Sequence, residues 1–136
     1  MKFKDKNHKN FYEQKLQEHP KADIYYKAII YTLAICPVTR EHFNDIFNIA
    51  TGEINIDSIQ APYQTGTSTK VTRLAFSLWN RCNYDSITDL EAEKASPYYN
   101  VSEIFCCNYA PYFYEAIKIR YPEYIVRSQN KVYKNV

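Results

Sequence analysis

The segment at residues 64–80, QTGTSTKVTRLAFSLWN, carries polar side chains whose spacing could bind a charged ligand. Its apolar residues recur at helical spacing from Val71 to Trp79, which predicts an amphipathic helix. Polar side chains three or four positions apart share the opposite face of that helix. They are Lys70, Arg73, Ser77, Asn80 and Arg81. Because these groups could grip phosphates or an acidic protein surface, we predict that this face binds a partner.

The hydroxyl residues before this helix have two interpretations. Gly66 interrupts the chain, and Thr67 or Ser68 could cap the helix by accepting hydrogen bonds from its first N–H groups. The same N–H groups, with Lys70 nearby, could instead bind an anion. A Walker-type phosphate loop needs a second glycine just before the lysine, where Thr69 stands, and the chain has only 2 glycines. A phosphate loop is therefore excluded, while a cap and a general anion site both stay open.

Side chains that commonly perform catalysis or hold metals occur without a spacing that marks a site. The 3 histidines, at positions 8, 19 and 42, have no paired metal-ligand spacing, and Cys106 and Cys107 are adjacent rather than two or more residues apart. Carboxylates one helical turn apart, such as Glu41 and Asp45, usually lie on solvated surface. A cysteine and a histidine could still meet in space, so an enzyme stays open as a third hypothesis. We otherwise expect no catalytic residue, no metal and no cofactor.

Length and composition favour a single domain with an ordinary core. The chain has 136 residues, of which 46% are hydrophobic, so residues 1–136 are predicted to form one domain. The 4 cysteines are expected to be reduced, because the chain is neither short nor typical of a secreted protein. No apolar run approaches the ~20 residues that span a bilayer, and charges fill the N-terminus where a signal peptide is apolar. We therefore expect a cytoplasmic protein with no membrane partner.

Charge is distributed along the chain in blocks of alternating sign. Residues 64–82 hold three cations and no acid, whereas residues 83–108 hold five acids and one lysine. This alternation argues against a uniformly basic nucleic-acid-binding protein but leaves room for a local basic face. The 14 tyrosines have two interpretations. An A/T-rich genome would favour them together with Ile, Lys and Asn, or they form an adhesive surface, since tyrosine is enriched in interfaces.

The first half of the chain reads as three helices. The first starts after Asp5 and ends near Pro20. The second, at residues 22–36, is apolar nearly all round and should be the central, buried one. The third is predicted to run from an N-cap at Thr39 to a C-cap at Gly52.

The second half continues the helical pattern, so the fold class is predicted to be all-α, a compact domain of five to six helices. One short extended segment is expected near residues 53–57. A short helix is predicted near residues 86–95, and a last helix, with Pro111 in its first turn, ends at Tyr121. The tail at 123–136 is expected to be frayed. The side chains predicted to meet in one core are Tyr31, Ile35, Leu74, Leu78, Phe113 and Ile117.

The segment TSTKVTRLAFSLWN, followed by SEIF and YFYEAIKIRYPE, resembles a family of small uncharacterised proteins carried by prophages and other mobile elements of low-GC bacteria. The resemblance covers about residues 5–122. The matching positions are Thr67, Ser68, Lys70, Arg73, Leu74, Phe76, Leu78, Trp79 and Asn80. Two residues depart from the family pattern: Ser77 stands where an asparagine is usual, and Arg81 stands where a glycine would end the helix.

The resemblance implies a setting rather than a mechanism, because the family has no assigned activity. Small cofactor-free proteins of mobile elements often act by binding, so we expect a non-enzymatic, anti-CRISPR-like inhibitor in a bacterial host cell. Its expected partner is a host defence protein, for example a nuclease, bound through the charged helix face and exposed tyrosines. The alternative is a direct nucleic-acid-binding protein that places Lys70, Arg73 and Arg81 on phosphates. A structural alternative also stays open, in which Arg73 and Asn80 turn inward toward the acidic segment around Asp85 and Asp89.

Overall fold

The fold is built around two helices, α2 (Ile24–Leu33) and α5 (Gly66–Asn80), which pack closely against each other. A third helix, α8 (Ala110–Arg120), packs on both of them, and α1 (Lys6–Glu18) packs on α2. The structure, a computed structural model, describes residues 1–125. The predicted frayed tail at 123–136 therefore lies, beyond residue 125, outside the described residues.

The first two helices begin where the sequence provides an aspartate cap. The Asp5 side chain accepts the His8 N–H at 2.8 Å, and the Asp23 side chain accepts the Tyr26 N–H at 3.1 Å. Each cap satisfies an N–H group that has no partner inside its helix. Helix α1 ends before Pro20, as predicted, and α2 is shorter at both ends than the predicted span of 22–36.

The predicted third helix is divided into two short ones. Cys36, not Thr39, is the N-cap of α3 (Pro37–Glu41), and Pro37 takes the first helical position, where the missing N–H needs no partner. The Thr39 hydroxyl lies inside that helix and donates to the Leu33 carbonyl. Helix α4 (Phe43–Ile46) follows directly. The prediction that Thr39 is an N-cap was therefore wrong.

Gly52 also has a different role from the predicted helix C-cap. It lies in the turn between β1 (Phe47–Asn48) and β2 (Glu53–Ile54), which pair as a short antiparallel hairpin. Its φ is +70°, and a Cβ atom there would lie 3.0 Å from the Tyr26 hydroxyl and 3.3 Å from the Trp79 ring. Both constraints favour glycine. Of the extended segment expected near 53–57, only Glu53 and Ile54 form a strand. Its partner, β1, precedes it in the chain.

The remaining elements are short and connect the long helices. A 3-10 helix at Ile56–Gln60 precedes α5, and a second one lies at Pro97–Tyr99. Between α5 and α8 the chain forms α6 (Ile87–Glu91) and α7 (Val101–Ile104). Because the hairpin is the only sheet within residues 1–125, the all-α prediction is confirmed.

One hydrophobic cluster joins the long helices. Its fully buried members include Tyr31, Ile35 and Phe113, and Leu74 and Leu78 are also buried. Ile117, the sixth residue predicted for the core, is only partly buried and packs against the cluster. Apolar spacing along the helices therefore identified the core correctly, except that α8 presents Ile117 at its margin.

Candidate interaction surfaces

Helix α5 carries the predicted partner-binding face. In the structure, some residues of that face bond to other parts of the protein and the others are exposed to solvent. Arg73 binds the acidic segment, with Nε donating to Asp85 Oδ1 at 3.0 Å and Nη2 donating to Oδ2 at 3.3 Å. The two side chains are only 15% and 16% exposed, and the guanidinium also lies over the Tyr98 ring. Arg73 therefore turns inward and pairs with Asp85 of the acidic segment, as the structural alternative predicted.

The other residues of that face differ in their surroundings. Lys70 Nζ donates to the backbone carbonyl of Glu103, so it links α5 to α7. Ser77 is half-buried, and its carbonyl accepts the Arg81 N–H at 3.0 Å. Asn80 is exposed and does not turn toward the acidic segment, because its side-chain oxygen accepts the Cys82 N–H. The structure therefore does not bring the five residues together as one open face.

Arg81 ends helix α5 in a left-handed conformation. Its φ is +62°, in the region that favours glycine, and its side chain is exposed. This is the position where the resemblance described above leads one to expect glycine. The helix consequently ends where glycine would end it, although an arginine occupies the site.

The start of helix α5 is capped by Thr65, so the prediction that Thr67 or Ser68 is the N-cap was wrong. Thr65 Oγ1 accepts the Ser68 N–H at 3.0 Å, and Ser68 Oγ accepts the Thr65 N–H at 2.7 Å. This reciprocal pair is a capping box with serine at its second position. Thr67 is exposed beside it. Since Lys70 is directed to Glu103, the anion interpretation of this helix end loses its nearby cation.

Residues 83–96, called loop 83–96 below, form a closed loop that covers Arg73. The Ser96 N–H donates to the Asn83 carbonyl at 2.8 Å, which joins the two ends of the loop. The Ser96 hydroxyl donates to Asp85 Oδ2 at 2.7 Å, so this carboxylate accepts bonds from Arg73 and Ser96 together. The base of the loop is therefore braced by charge-assisted hydrogen bonds.

Helix α6 lies within loop 83–96, and none of its residues is fully buried. Ile87 and Leu90, three positions apart on one helix face, are each 40% exposed. The helix is fixed at its start, where the Ile87 N–H donates to Asp57 and the Ser86 hydroxyl accepts the Asp89 N–H. Glu91 and Glu93 are exposed beside the aliphatic pair. The loop thus presents two aliphatic side chains within an acidic surface.

A second exposed feature lies where α5, α8 and the start of α2 meet. The Arg120 guanidinium packs against two tyrosine rings, with Cζ 3.7 Å from the Tyr25 centroid and 4.6 Å from the Tyr121 centroid. Trp79 and Tyr124 adjoin this stack. We call Tyr25, Trp79, Arg120, Tyr121 and Tyr124 the aromatic cluster. Arginine, tyrosine and tryptophan are the residue types that dominate protein-binding hot spots.

His8 and His42 are both held by contacts within the protein. His8 is fully buried, with Nδ1 accepting the Lys4 N–H at 3.1 Å and Nε2 donating to the Tyr31 carbonyl at 2.9 Å. Burial lowers its pKa to about 4, so the ring is neutral. The His42 ring stacks on Tyr63 at a centroid distance of 3.7 Å. Burial, together with a hydrogen bond donated to Asp45, raises the Tyr63 pKa, which keeps that hydroxyl protonated.

The thiols and the groove beside the hairpin show no convergent set of reactive groups. All four cysteines are free: Cys36 and Cys82 are buried, Cys107 is half-buried and Cys106 is exposed. A groove of about 440 Å³ lies between the end of α1 and the hairpin, but its cation, Lys15, pairs with Glu18. Within residues 1–125, no group of three or more His, Cys, Asp or Glu is placed to hold a metal ion. None of the helices in that range is long and apolar enough to cross a membrane.

Sequence reasoning missed both exposed features. The exposed aliphatic pair of α6 had a signal, because Ile87 and Leu90 stand alone among polar residues in a segment too short for a buried helix. The aromatic cluster had no local signal, since its members come from α2, from α5 and from the end of α8 with the residues after it, which are far apart in the chain.

Similarity to known proteins is found at the level of the family. No curated protein and no solved structure matches the chain. The family of unknown function DUF6075 matches residues 1–133, which include every residue of the surfaces described above. The expected membership of an uncharacterised family is thereby confirmed. The chain belongs to the family of unknown function DUF6075.

Proposed function

We propose that the protein is a non-enzymatic binding protein of mobile elements that inhibits a bacterial defence effector, such as a CRISPR nuclease, by stoichiometric binding. The resemblance to proteins of prophages supplies this setting. Loop 83–96 supplies the surface, in place of the charged face of α5. The protein acts in the bacterial cytoplasm and needs no cofactor in this proposal.

The observation that carries the proposal is the exposed aliphatic pair of α6. A helix of 5 residues cannot be stable by itself, and α6 gains less from burial than a core helix does, because none of its residues is fully buried. The chain nevertheless holds it in place through Asp85, Ser96 and Asp57. Such bracing presents Ile87 and Leu90 in a fixed position at little entropic cost on binding. This arrangement suits recognition of a partner better than it suits folding.

The chemistry of loop 83–96 indicates what the partner offers. Glu91 and Glu93 surround the aliphatic pair with negative charge, so the complementary surface is an apolar recess rimmed by lysine or arginine. A nuclease carries such cationic surface because it must bind nucleic acid. An acidic loop placed there would oppose binding of the nucleic acid.

Direct binding of nucleic acid finds less support in the geometry. Two of the three cations named for phosphate contacts, Lys70 and Arg73, are committed to Glu103 and Asp85. Arg81 is exposed, but a single cation gives weak binding, since affinity for nucleic acid grows with the number of phosphates contacted. The alternative predicts a steep loss of affinity with salt, whereas an interface centred on an aliphatic pair loses affinity less steeply.

The test measures DNA cleavage by a purified RNA-guided nuclease in the presence of this protein. We expect inhibition that saturates at a fixed molar ratio and is lost in the double variant Ile87→Ser/Leu90→Ser. The matched control is Tyr114→Ser, which removes a side chain that is 51% exposed on α8. Full inhibition by the double variant would exclude loop 83–96. Salt-dependent binding of free DNA by the protein would favour the nucleic-acid alternative instead.

A further inference from the structure

Arg120 is held in a fixed orientation that leaves part of its guanidinium available. Two tyrosine rings pack against its guanidinium, Tyr25 and Tyr121, at 3.7 Å and 4.6 Å from Cζ to the ring centroids. Its Nε donates to the Leu78 carbonyl at 3.0 Å, which satisfies one of the last carbonyls of α5. The plane and the direction of the side chain are therefore both set before any ligand arrives.

The terminal nitrogens of Arg120 are the available part. Within residues 1–125, Nη1 and Nη2 make no hydrogen bond, and no carboxylate lies within 4.0 Å of them. Arg120 is half-buried, so part of its side chain reaches solvent. With Nε committed to Leu78, the outward fork formed by Nη1 and Nη2 can donate two parallel hydrogen bonds.

The surroundings of this fork are aromatic and partly exposed. Tyr25 is 40% exposed and Tyr124 is 67% exposed, and the Trp79 ring contacts Tyr25 edge to face. Stacked rings reduce competition from water and add a cation–π contribution that fixes the arginine. A ligand group that binds the fork would therefore also bury aromatic surface.

We infer that Arg120 is a carboxylate-binding site that receives an aspartate or glutamate side chain of a protein partner, with Tyr25 and Tyr124 packing around it. A carboxylate matches the fork with two oxygens at the required spacing. A nucleic-acid phosphate is disfavoured because Asp23 and Glu123, both exposed, lie two and three positions from Tyr25 and Arg120. Their charges would oppose a strand of phosphates more strongly than a single carboxylate. This site is separate from loop 83–96 and does not depend on it.

The experiment uses the full chain and three short peptides as probes: acetyl-Phe-Glu-Phe-amide, the same peptide with glutamine, and the same peptide with phosphoserine. Binding is followed by NMR at the Arg120 Nε–H and at the tyrosine rings. We expect the glutamate peptide to bind about tenfold more tightly than the glutamine peptide, because it makes a charge-assisted pair. We also expect it to bind more tightly than the phosphoserine peptide.

Three variants make the result specific. Arg120→Lys keeps the charge without the planar fork and should lose the preference for glutamate over glutamine. Tyr124→Ala, which leaves Arg120 unchanged, should weaken binding, while Tyr114→Ala, an exposed tyrosine outside the aromatic cluster, should not. Equal binding of the glutamate and glutamine peptides would overturn the inference, as would tighter binding of the phosphoserine peptide. The variant Ile87→Ser/Leu90→Ser should bind the peptides normally, which separates this test from that of the proposed function.

Discussion

Among single residues, the Arg73–Asp85 pair shows most directly that the predicted binding face is part of the architecture. Arg73→Ala should lower the free energy of unfolding by about 2 kcal/mol, because it leaves a largely buried carboxylate with fewer hydrogen bonds. Unfolding in urea measures this loss. Arg73 was expected from the sequence to matter for binding far more than for folding, and the observed contact predicts the opposite.

A double-mutant cycle gives the control for this pair. Arg73→Gln, Asp85→Asn and the combined variant should show a coupling energy of about 1–3 kcal/mol, because the two side chains touch. Additive effects of the two substitutions would contradict a direct contact. The same cycle between Arg73 and Glu41, which is exposed on α3, should give no coupling.

His8 is the second residue whose surroundings lead to a measurable prediction. Its pKa is about 4 in the folded chain, below the ordinary value of 6.5, because burial opposes the charged ring. The unfolded chain therefore binds more protons than the folded chain between these pH values. Stability contributed by His8 is complete above pH 6.5 and is lost as the pH falls toward 4, in total about 3 kcal/mol.

The pH dependence is checked by urea unfolding from pH 7 to pH 4 on the wild type and on His8→Gln. The variant should be less stable at pH 7 and should show a shallower decline, since glutamine does not titrate. Carboxylates contribute equally to both proteins and cancel in the comparison. Parallel declines would contradict a neutral, buried His8.

At the scale of elements, the N-cap of α5 is a direct test of where that helix begins. Thr65→Ala should cost about 1 kcal/mol, because it removes the acceptor for the Ser68 N–H. Thr67→Ala, at an exposed position two residues later, should change stability by less than about 0.5 kcal/mol. Thermal melts of the two variants compare them directly. A larger loss for Thr67→Ala would mean that the helix begins later.

The end of α5 leads to a stabilising substitution. Arg81 has a left-handed φ of +62°, which costs an L-residue roughly 1–2 kcal/mol. Glycine removes this cost, but its larger conformational entropy in the unfolded chain offsets part of the gain. Arg81→Gly should therefore raise the free energy of unfolding by about 0.5–1 kcal/mol. Chemical denaturation measures the gain. Arg81→Ala, which lacks the side chain but keeps the strain, serves as the control and should not show it.

The helix boundaries show which elements the sequence could predict. Apolar spacing placed α5 and every predicted core residue except Ile117 correctly, because burial of an apolar face is a property of each helix by itself. The caps were less predictable, because several hydroxyls stand in a row and only the backbone conformation at Thr65 decides between them. Pro37 starts α3 although it was interpreted as the end of α2, and proline is compatible with both roles.

Considered as a whole, the molecule uses its alternating charge blocks as internal contacts. The basic block of α5 meets the acidic block that follows it through one ion pair, Arg73 with Asp85, while Lys70 donates to the backbone carbonyl of Glu103. The sequence revealed the blocks but could not show that they pair, since pairing depends on how loop 83–96 folds back. The surfaces left exposed, α6 and the aromatic cluster, follow from the same tertiary arrangement.

The thiols test whether loop 83–96 unfolds together with the core. Cys36 follows α2 in the core, whereas Cys82 lies at the base of the loop, where its sulfur contacts the Tyr84 carbonyl and the Tyr99 hydroxyl. In the variant Cys106→Ser/Cys107→Ser, only these two buried thiols remain. If the braced loop belongs to the cooperative unit, both thiols react with a thiol reagent at the rate of global unfolding.

We therefore expect equal, slow labelling of Cys36 and Cys82, and rapid labelling of Cys106 in the wild type, where it is exposed. Mass spectrometry of digested samples assigns the rate to each thiol. Faster labelling of Cys82 would show that the loop opens independently, which would contradict the bracing by Asp85. Asp85→Asn provides the internal comparison. Weakening the contacts of Asp85 should accelerate labelling of Cys82, whereas the labelling rate of Cys36 should change only as much as global stability changes.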